Sequence, residues 1–170
     1  MKSLFIIFSF IAGIYLLNSC KVTYGFTDGT PACTECKTFS VTIFENSNPN
    51  APVNYGQIFT EDLKDAILNR TKYQLVSENG DLQFDGKVTG YTISPVSIQN
   101  DENAAQNRLS ISINVTHKNI VKDSLSFSQT FSRFADYPSD QDINSVQSLL
   151  LEEINQQITQ DILNKLNSNW

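Results

Sequence analysis

The chain has 170 residues, with 12 basic and 18 acidic side chains and a net charge of −6. That length predicts one folded domain, and that acidic balance argues against nucleic acid as a partner. The cysteines Cys20, Cys33 and Cys36 and the single histidine, His117, do not make the paired CxxC or Cys/His sets of a zinc site, so no metal is expected.

The N-terminal segment reads as a secretory signal. Lys2 is the only charge before Cys20, and the apolar run from Leu4 to Leu17 is too short and too near the start for a comfortable membrane span. It ends in Leu17-Asn18-Ser19-Cys20, with a branched aliphatic residue three positions before a cysteine and a small one directly before it. This is the cleavage pattern of bacterial lipoproteins. The small Ser19 opens the bond to the peptidase, and the Cys20 thiol carries a diacylglycerol thioether, with an N-acyl chain on the freed amine. Asn18 departs from the small or aliphatic residue usual there, and a retained signal anchor with Cys20 unmodified is the alternative. Each buried acyl methylene contributes ~0.8 kcal/mol, so two or three chains hold a protein on a membrane where one anchors only marginally. Residues 1–19 are thus expected as signal peptide, 20–36 as lipidated N-terminus and tether, and 37–170 as the folded domain, in an extracytoplasmic, oxidising space.

There, Cys33 and Cys36, written Cys-Thr-Glu-Cys, are expected to close a local disulfide that pins a loop. A redox-active pair and two free thiols are the alternatives. The motif precedes the first strand and does not open a helix, where a thiolate would be stabilised.

Lys37 to Phe44 alternates Phe39, Val41 and Ile43 against Thr38, Ser40 and Thr42, a half-buried strand. The following ENSNPNAPVNYG reads as an irregular loop. Gln57 to Asn69 places Phe59, Leu63, Ala66 and Ile67 on one helical face, with Asn54 and Gln57 as a capping pair. A second strand sets Leu82, Phe84, Gly86, Val88 and Gly90 against Gln83, Asp85, Lys87 and Thr89, and continues past Tyr91 and Ile93 to Pro95. The third opposes Leu109, Ile111, Ile113 and Val115 to Ser110, Ser112, Asn114 and Thr116. The fourth opposes Leu125, Phe127 and Phe131 to Ser124, Ser126, Ser128, Thr130 and Ser132, after which RFADYPSDQD turns the chain. The last segment carries Ile143, Val146, Leu150, Ile154, Ile158, Ile162 and Leu166 in one apolar stripe, capped by Ser139 or Asp140. The order β-α-β-β-β-α, with strands polar on one side, predicts an α+β domain in which two helices cover one face of a four-stranded mixed, largely antiparallel sheet.

The uncovered face is the candidate functional surface. Its third and fourth strands carry Ser, Thr or Asn at nine positions, among them Ser110, Ser112, Asn114, Thr116, Ser124, Ser126, Ser128 and Thr130, with no charge until the flanks. An ordinary wet face would mix in Lys, Glu and Arg. Hydroxyls both donate and accept, so such a surface loses little when another polar surface covers it. It suits a sugar or the polar interior of a larger protein; a merely solvated sheet is the alternative. No reaction assembles from the rest: His117 continues the apolar parity of its strand, no serine stands in a nucleophile elbow, and no two carboxylates are held at a fixed distance. A non-enzymatic binding or assembly role is expected.

The residues also carry a resemblance. The lipidated cysteine, KTFSVTIFENSNPNAP, FTEDLKDAILNRTKYQLV, GDLQFDGKVTGYTISPVSI, NRLSISINVTHKN and FSQTFSRFADY, followed by a helix ending in Trp170, together resemble the lipopolysaccharide-assembly lipoprotein family, LptE. The tether TDGTPACTEC departs from that family, so the CxxC inherits no role from it. The resemblance implies the same fold and an outer-membrane lipoprotein that sits in the lumen of a large β-barrel, LptD, and helps it assemble and pass lipopolysaccharide to the cell surface. A barrel lumen is polar, which suits the neutral face. Contact with the anionic lipid would need basic groups, and Lys87, Arg108, Lys118, Lys122 and Arg133 near strand ends are the candidates. Two other readings stay open: a free-standing periplasm-facing lipoprotein that binds glycan or peptide, and a thiol oxidoreductase using Cys33 and Cys36.

Overall fold

A computed structural model describes residues 33–96 and 105–168. Cys20, the signal segment, most of the tether and Trp170 lie outside the described residues. One mixed sheet contains β1 (Thr38–Val41), β2 (Glu45–Asn46), β3 (Gln74–Leu75), β4 (Leu82–Val96), β5 (Gln106–Asn119) and β6 (Phe127–Pro138). Its order is β3-β1-β4-β5-β6, with β2 also beside β4. The four long strands are the expected ones. β2 and β3 add two residues each, pairing parallel to β4 and β1, and two residues show no alternation from which a strand could be read. β1 runs parallel to β4, while β4, β5 and β6 are antiparallel neighbours. Helices α1 (Tyr55–Arg70) and α2 (Ile143–Asn167) cover one face.

Parity is where the strands depart from expectation. β1 stops at Val41, and beyond it Phe44 is buried while Ile43 is 62% exposed, the reverse of the expected inward Ile43. In β4 the register shifts between Val88 and Gly90. Leu82, Phe84 and Val88 face the core before the shift and Tyr91 after it, while Gly90 pairs with Ser112 on the open side. One extra residue in a strand flips every later side chain. That is why the apolar positions of this strand pass from even to odd numbers. β6 extends through RFADYP, pairing Asp136 with Arg108 and Pro138 with Gln106, where a turn was expected. Asp123–Leu125 form a 3₁₀ turn before it.

In α1, Phe59, Leu63 and Ile67 recur every fourth residue and are fully buried. Asn54 stands at the N-cap without a side-chain bond; at the other end Thr71 Oγ1 donates to the Ile67 carbonyl. In α2, Leu150, Ile154, Ile158, Ile162 and Leu166 form the expected buried stripe, with Ile143 and Val146 packed more loosely against it. Its cap is Asp142, which accepts from the Asn144 N–H at 2.7 Å. Neither Ser139 nor Asp140 caps it, because β6 runs on to Pro138 and the Ser139 N–H is bonded to the Ala105 carbonyl. Between the helices Asn155 is buried, accepting from Tyr55 Oη and donating to Asp62, each at 2.6 Å. Such an amide is tolerated inside because both its ends are paired.

Cys33 and Cys36 are joined in a disulfide, and both are buried in the core. The motif expected in a tether is therefore part of the packed fold. Tyr73 Oη donates to the Cys33 carbonyl at 3.2 Å. Cys36 Sγ lies 3.7 Å from Asn119 Oδ1, a packing contact, since a disulfide sulfur has no proton to give.

Candidate functional site

β4, β5 and β6 turn their other parity away from the helices. Across β5 and β6 the opposed residues are Thr116 with Ser128, Asn114 with Thr130, Ser112 with Ser132 and Ser110 with Phe134. Three of these pairs are joined side chain to side chain. The hydroxyls of Ser112 and Ser132 lie 2.8 Å apart, Asn114 Nδ2 donates to Thr130 Oγ1 at 3.3 Å, and the hydroxyls of Thr116 and Ser128 are 3.3 Å apart. Cross-strand bonds of this kind order the side chains and leave lone pairs for another partner. β4 sets Thr92 beside Ser110, Gly90 beside Ser112, Lys87 beside Asn114 and Asp85 beside Thr116. The surface is neutral from Ser110 to Thr116 on β5 and from Ser128 to Phe134 on β6, and carries one residue of each charge on β4, Lys87 and Asp85.

At one end the face changes character. Arg108 donates to both carboxylate oxygens of Asp136, at 2.7 and 2.8 Å, and its guanidinium carbon lies 3.7 Å from the centre of the Phe134 ring. The arginine's hydrogen bonds hold the Asp136 carboxyl below its usual range. Phe134 is 47% exposed, and an aromatic ring under an arginine is the kind of group that anchors interfaces. The sequence reading missed it. Phe134 follows Ser128, Thr130 and Ser132 at the same parity, so carrying the alternation through FSRFADY finds it.

Other expected residues lie elsewhere. Ser124 sits in the 3₁₀ turn, and Ser126 Oγ accepts from the Asn119 N–H at 2.9 Å, so neither belongs to the face. The five basic residues do not converge. Lys87 is on the open side and Arg108 is paired at one end; Lys118 lies at the other end, about 34 Å further along β5 at a strand's rise per residue. Lys122 is in the turn beyond it. Arg133 has the opposite parity and is tied to Asp161 of α2 by bonds of 2.6 and 2.7 Å. His117 is buried, stacked on Phe84 and against Phe127. Burial lowers its pKa to about 4, and it packs as a neutral ring. Among the described residues no three His, Cys, Asp or Glu side chains converge as metal ligands.

The family model for lipopolysaccharide assembly, LptE, matches residues 36–166. The chain belongs to the LptE family. Solved structures share the LptE chain's fold. A minor lipoprotein from Acinetobacter baumannii is 15% identical with a TM-score of 0.50, over 78% of this chain and 94% of that one. The protein CT253 from Chlamydia trachomatis is 9% identical at 0.50, over 77% and 98%. A neuraminyllactose-binding hemagglutinin homolog from Helicobacter pylori is 13% identical at 0.51, over 79% and 84%. No curated protein sequence matches the chain. Membership of the LptE family supports a role in lipopolysaccharide assembly, and among the described residues no helix is long and apolar enough to cross a membrane.

Proposed function

We propose that this LptE chain is a non-enzymatic lipoprotein, held in the outer membrane by acyl chains on Cys20, whose open sheet face is covered by the polar lumen of an LptD-type β-barrel. In that position it assists the barrel in assembling and passing lipopolysaccharide to the cell surface. The observation that carries the reading is the hydrogen-bonded ladder of Ser, Thr and Asn side chains on the uncovered side of the sheet. Small hydroxyls exchange water for the polar groups of a lumen at little cost, and the Arg108–Phe134 pair supplies an anchor at one end of the face. Lipopolysaccharide would meet these basic residues at separate places, Arg108 at one end of the sheet and Lys118 with Lys122 at the other.

Purification of the tagged chain from detergent-solubilised membranes tests this. Recovery of a barrel of much greater mass is expected. Recovery of the chain alone, in a form that binds saccharide without any barrel, would establish the free-standing glycan-binding lipoprotein instead.

A further inference from the structure

We infer that the turn between β5 and β6, Lys118 to Lys122, rests on an anionic phospholipid surface beside the lipid anchor. The inference takes its orientation from the lipidation proposed for Cys20. Ile120 and Val121 are 53% and 43% exposed, and they stand between the exposed lysines Lys118 and Lys122. The turn that carries them is tightly built. Asn119 is buried and its Oδ1 accepts from the N–H groups of Val121 and Lys122, at 3.1 and 2.7 Å. The Asn119 N–H is bonded to Ser126 Oγ, and the Ile120 N–H donates to the Asp81 carbonyl at 2.8 Å. With its backbone satisfied by its own neighbours, the turn holds two aliphatic side chains outward, where none of the described residues covers them.

The same end of the molecule receives the N-terminal segment. The Asp81 carboxylate accepts from the N–H groups of Lys37 and Thr38, at 2.8 and 3.0 Å, and Cys36 touches Asn119. Cys20 and Cys33 are only 13 positions apart, a reach of at most about 45 Å when fully extended. Lys37 and Lys72 are also exposed here, Lys72 beside the Tyr73 that bonds the Cys33 carbonyl. Against these four lysines stand Glu35, Glu78 and Asp123, all exposed, and an Asp81 already engaged with backbone. In a chain of net charge −6 these charges balance at this end, and Lys118 and Lys122 flank the exposed aliphatic pair. Exposed aliphatic residues flanked by lysines are the pattern of a segment lying at a bilayer interface, where basic side chains meet anionic headgroups.

The test uses the full chain, purified from membranes with whatever barrel it retains and reconstituted in vesicles of phosphatidylethanolamine and phosphatidylglycerol. Val121→Cys carries an environment-sensitive fluorophore, with a label at Leu149→Cys, near the start of α2 and 68% exposed, as the water-facing control. The native thiols are expected to be unreactive, Cys33 and Cys36 through their disulfide and Cys20 through its thioether to diacylglycerol. The parent chain taken through the same labelling, with the mass of its N-terminal peptide, reports on Cys20 separately, so either reading can fail alone. A label at position 121 that is quenched by lipid-borne quenchers, with none at 149, is the expected result. Each lysine near an anionic surface contributes about fivefold in partitioning, so Lys118→Gln with Lys122→Gln should lower insertion of the turn about 25-fold. Equal water exposure of the two labels would overturn the proposal, as would unchanged quenching in the double lysine variant. A blue-shifted but unquenched label at 121 would also overturn it, by showing a protein neighbour there, the barrel or a second copy.

Discussion

His117 is one of the core's least compensated groups. Neither ring nitrogen has a well-formed hydrogen bond, and the Gln83 backbone offsets only part of the burial that lowers its pKa to about 4. In the unfolded chain the ring titrates near 6.5, so between pH 6.5 and 4 the unfolded state binds more protons and stability falls as pH falls, by up to about 3 kcal/mol. His117→Phe keeps the stack with Phe84 and Phe127. It should abolish that slope in urea unfolding measured from pH 7.5 to 4, and leave stability at pH 7.5 equal or higher, because two unpaired polar atoms are removed. Asp81 and Asp136, whose carboxyls are held below their usual range by hydrogen bonds from backbone and from Arg108, lose their contributions only at lower pH. Asp62, raised by burial, works against the histidine slope near the carboxylate range. A slope that survives in the His117→Phe variant would place the titration elsewhere. Gly86 is constrained by space: an added Cβ would run into the Asn114 carbonyl and stand 2.7 Å from the Phe44 ring. Gly86→Ala should cost about 1–3 kcal/mol in thermal unfolding.

Among the elements, the two sides of the β5–β6 pair carry different work. One side packs Leu109, Ile111, Ile113 and Val115 into the core, and the other holds the hydroxyl ladder. Ser112→Glu with Thr130→Glu changes the outer side alone. The isolated chain should unfold within about 0.5 kcal/mol of the parent per substitution, whereas a barrel lumen covering the face would bury two unpaired charges, so recovery of the barrel with the tagged chain should fall sharply. Undiminished recovery would exclude this face as the contact. The disulfide belongs at this scale too. A loop so short constrains little unfolded-chain entropy, and from that alone Cys33→Ser with Cys36→Ser should be nearly silent. Both positions are buried, however, at 7% and 6% exposure, and a buried hydroxyl without a partner costs about 1–3 kcal/mol. The serine pair should therefore lower the melting temperature more than an alanine pair does. Equal melting temperatures would show that the two hydroxyls find partners.

For the whole molecule the governing question is attachment. Cys20→Ala should leave an unprocessed precursor or a soluble product, seen by membrane fractionation and the mass of the N-terminus, because neither the thioether nor the acyl chains can form. Unchanged attachment would point to a retained signal anchor. The sequence by itself determined the helices, the long strands and the neutral side of β5 and β6, because period-four and period-two burial are written locally, in Phe59, Leu63 and Ile67 or in Ile111, Ile113 and Val115. Only the tertiary structure decided what depends on contacts between distant segments. The bulge at Val88–Gly90 is defined against its partner β5, and Arg133 is drawn away from the lipid-facing candidates by Asp161 of α2. The CxxC is buried because Tyr73 and Asn119, 40 and 83 residues further along, pack around it. A local pattern states which side of an element is apolar, but only the assembled chain shows what each side meets.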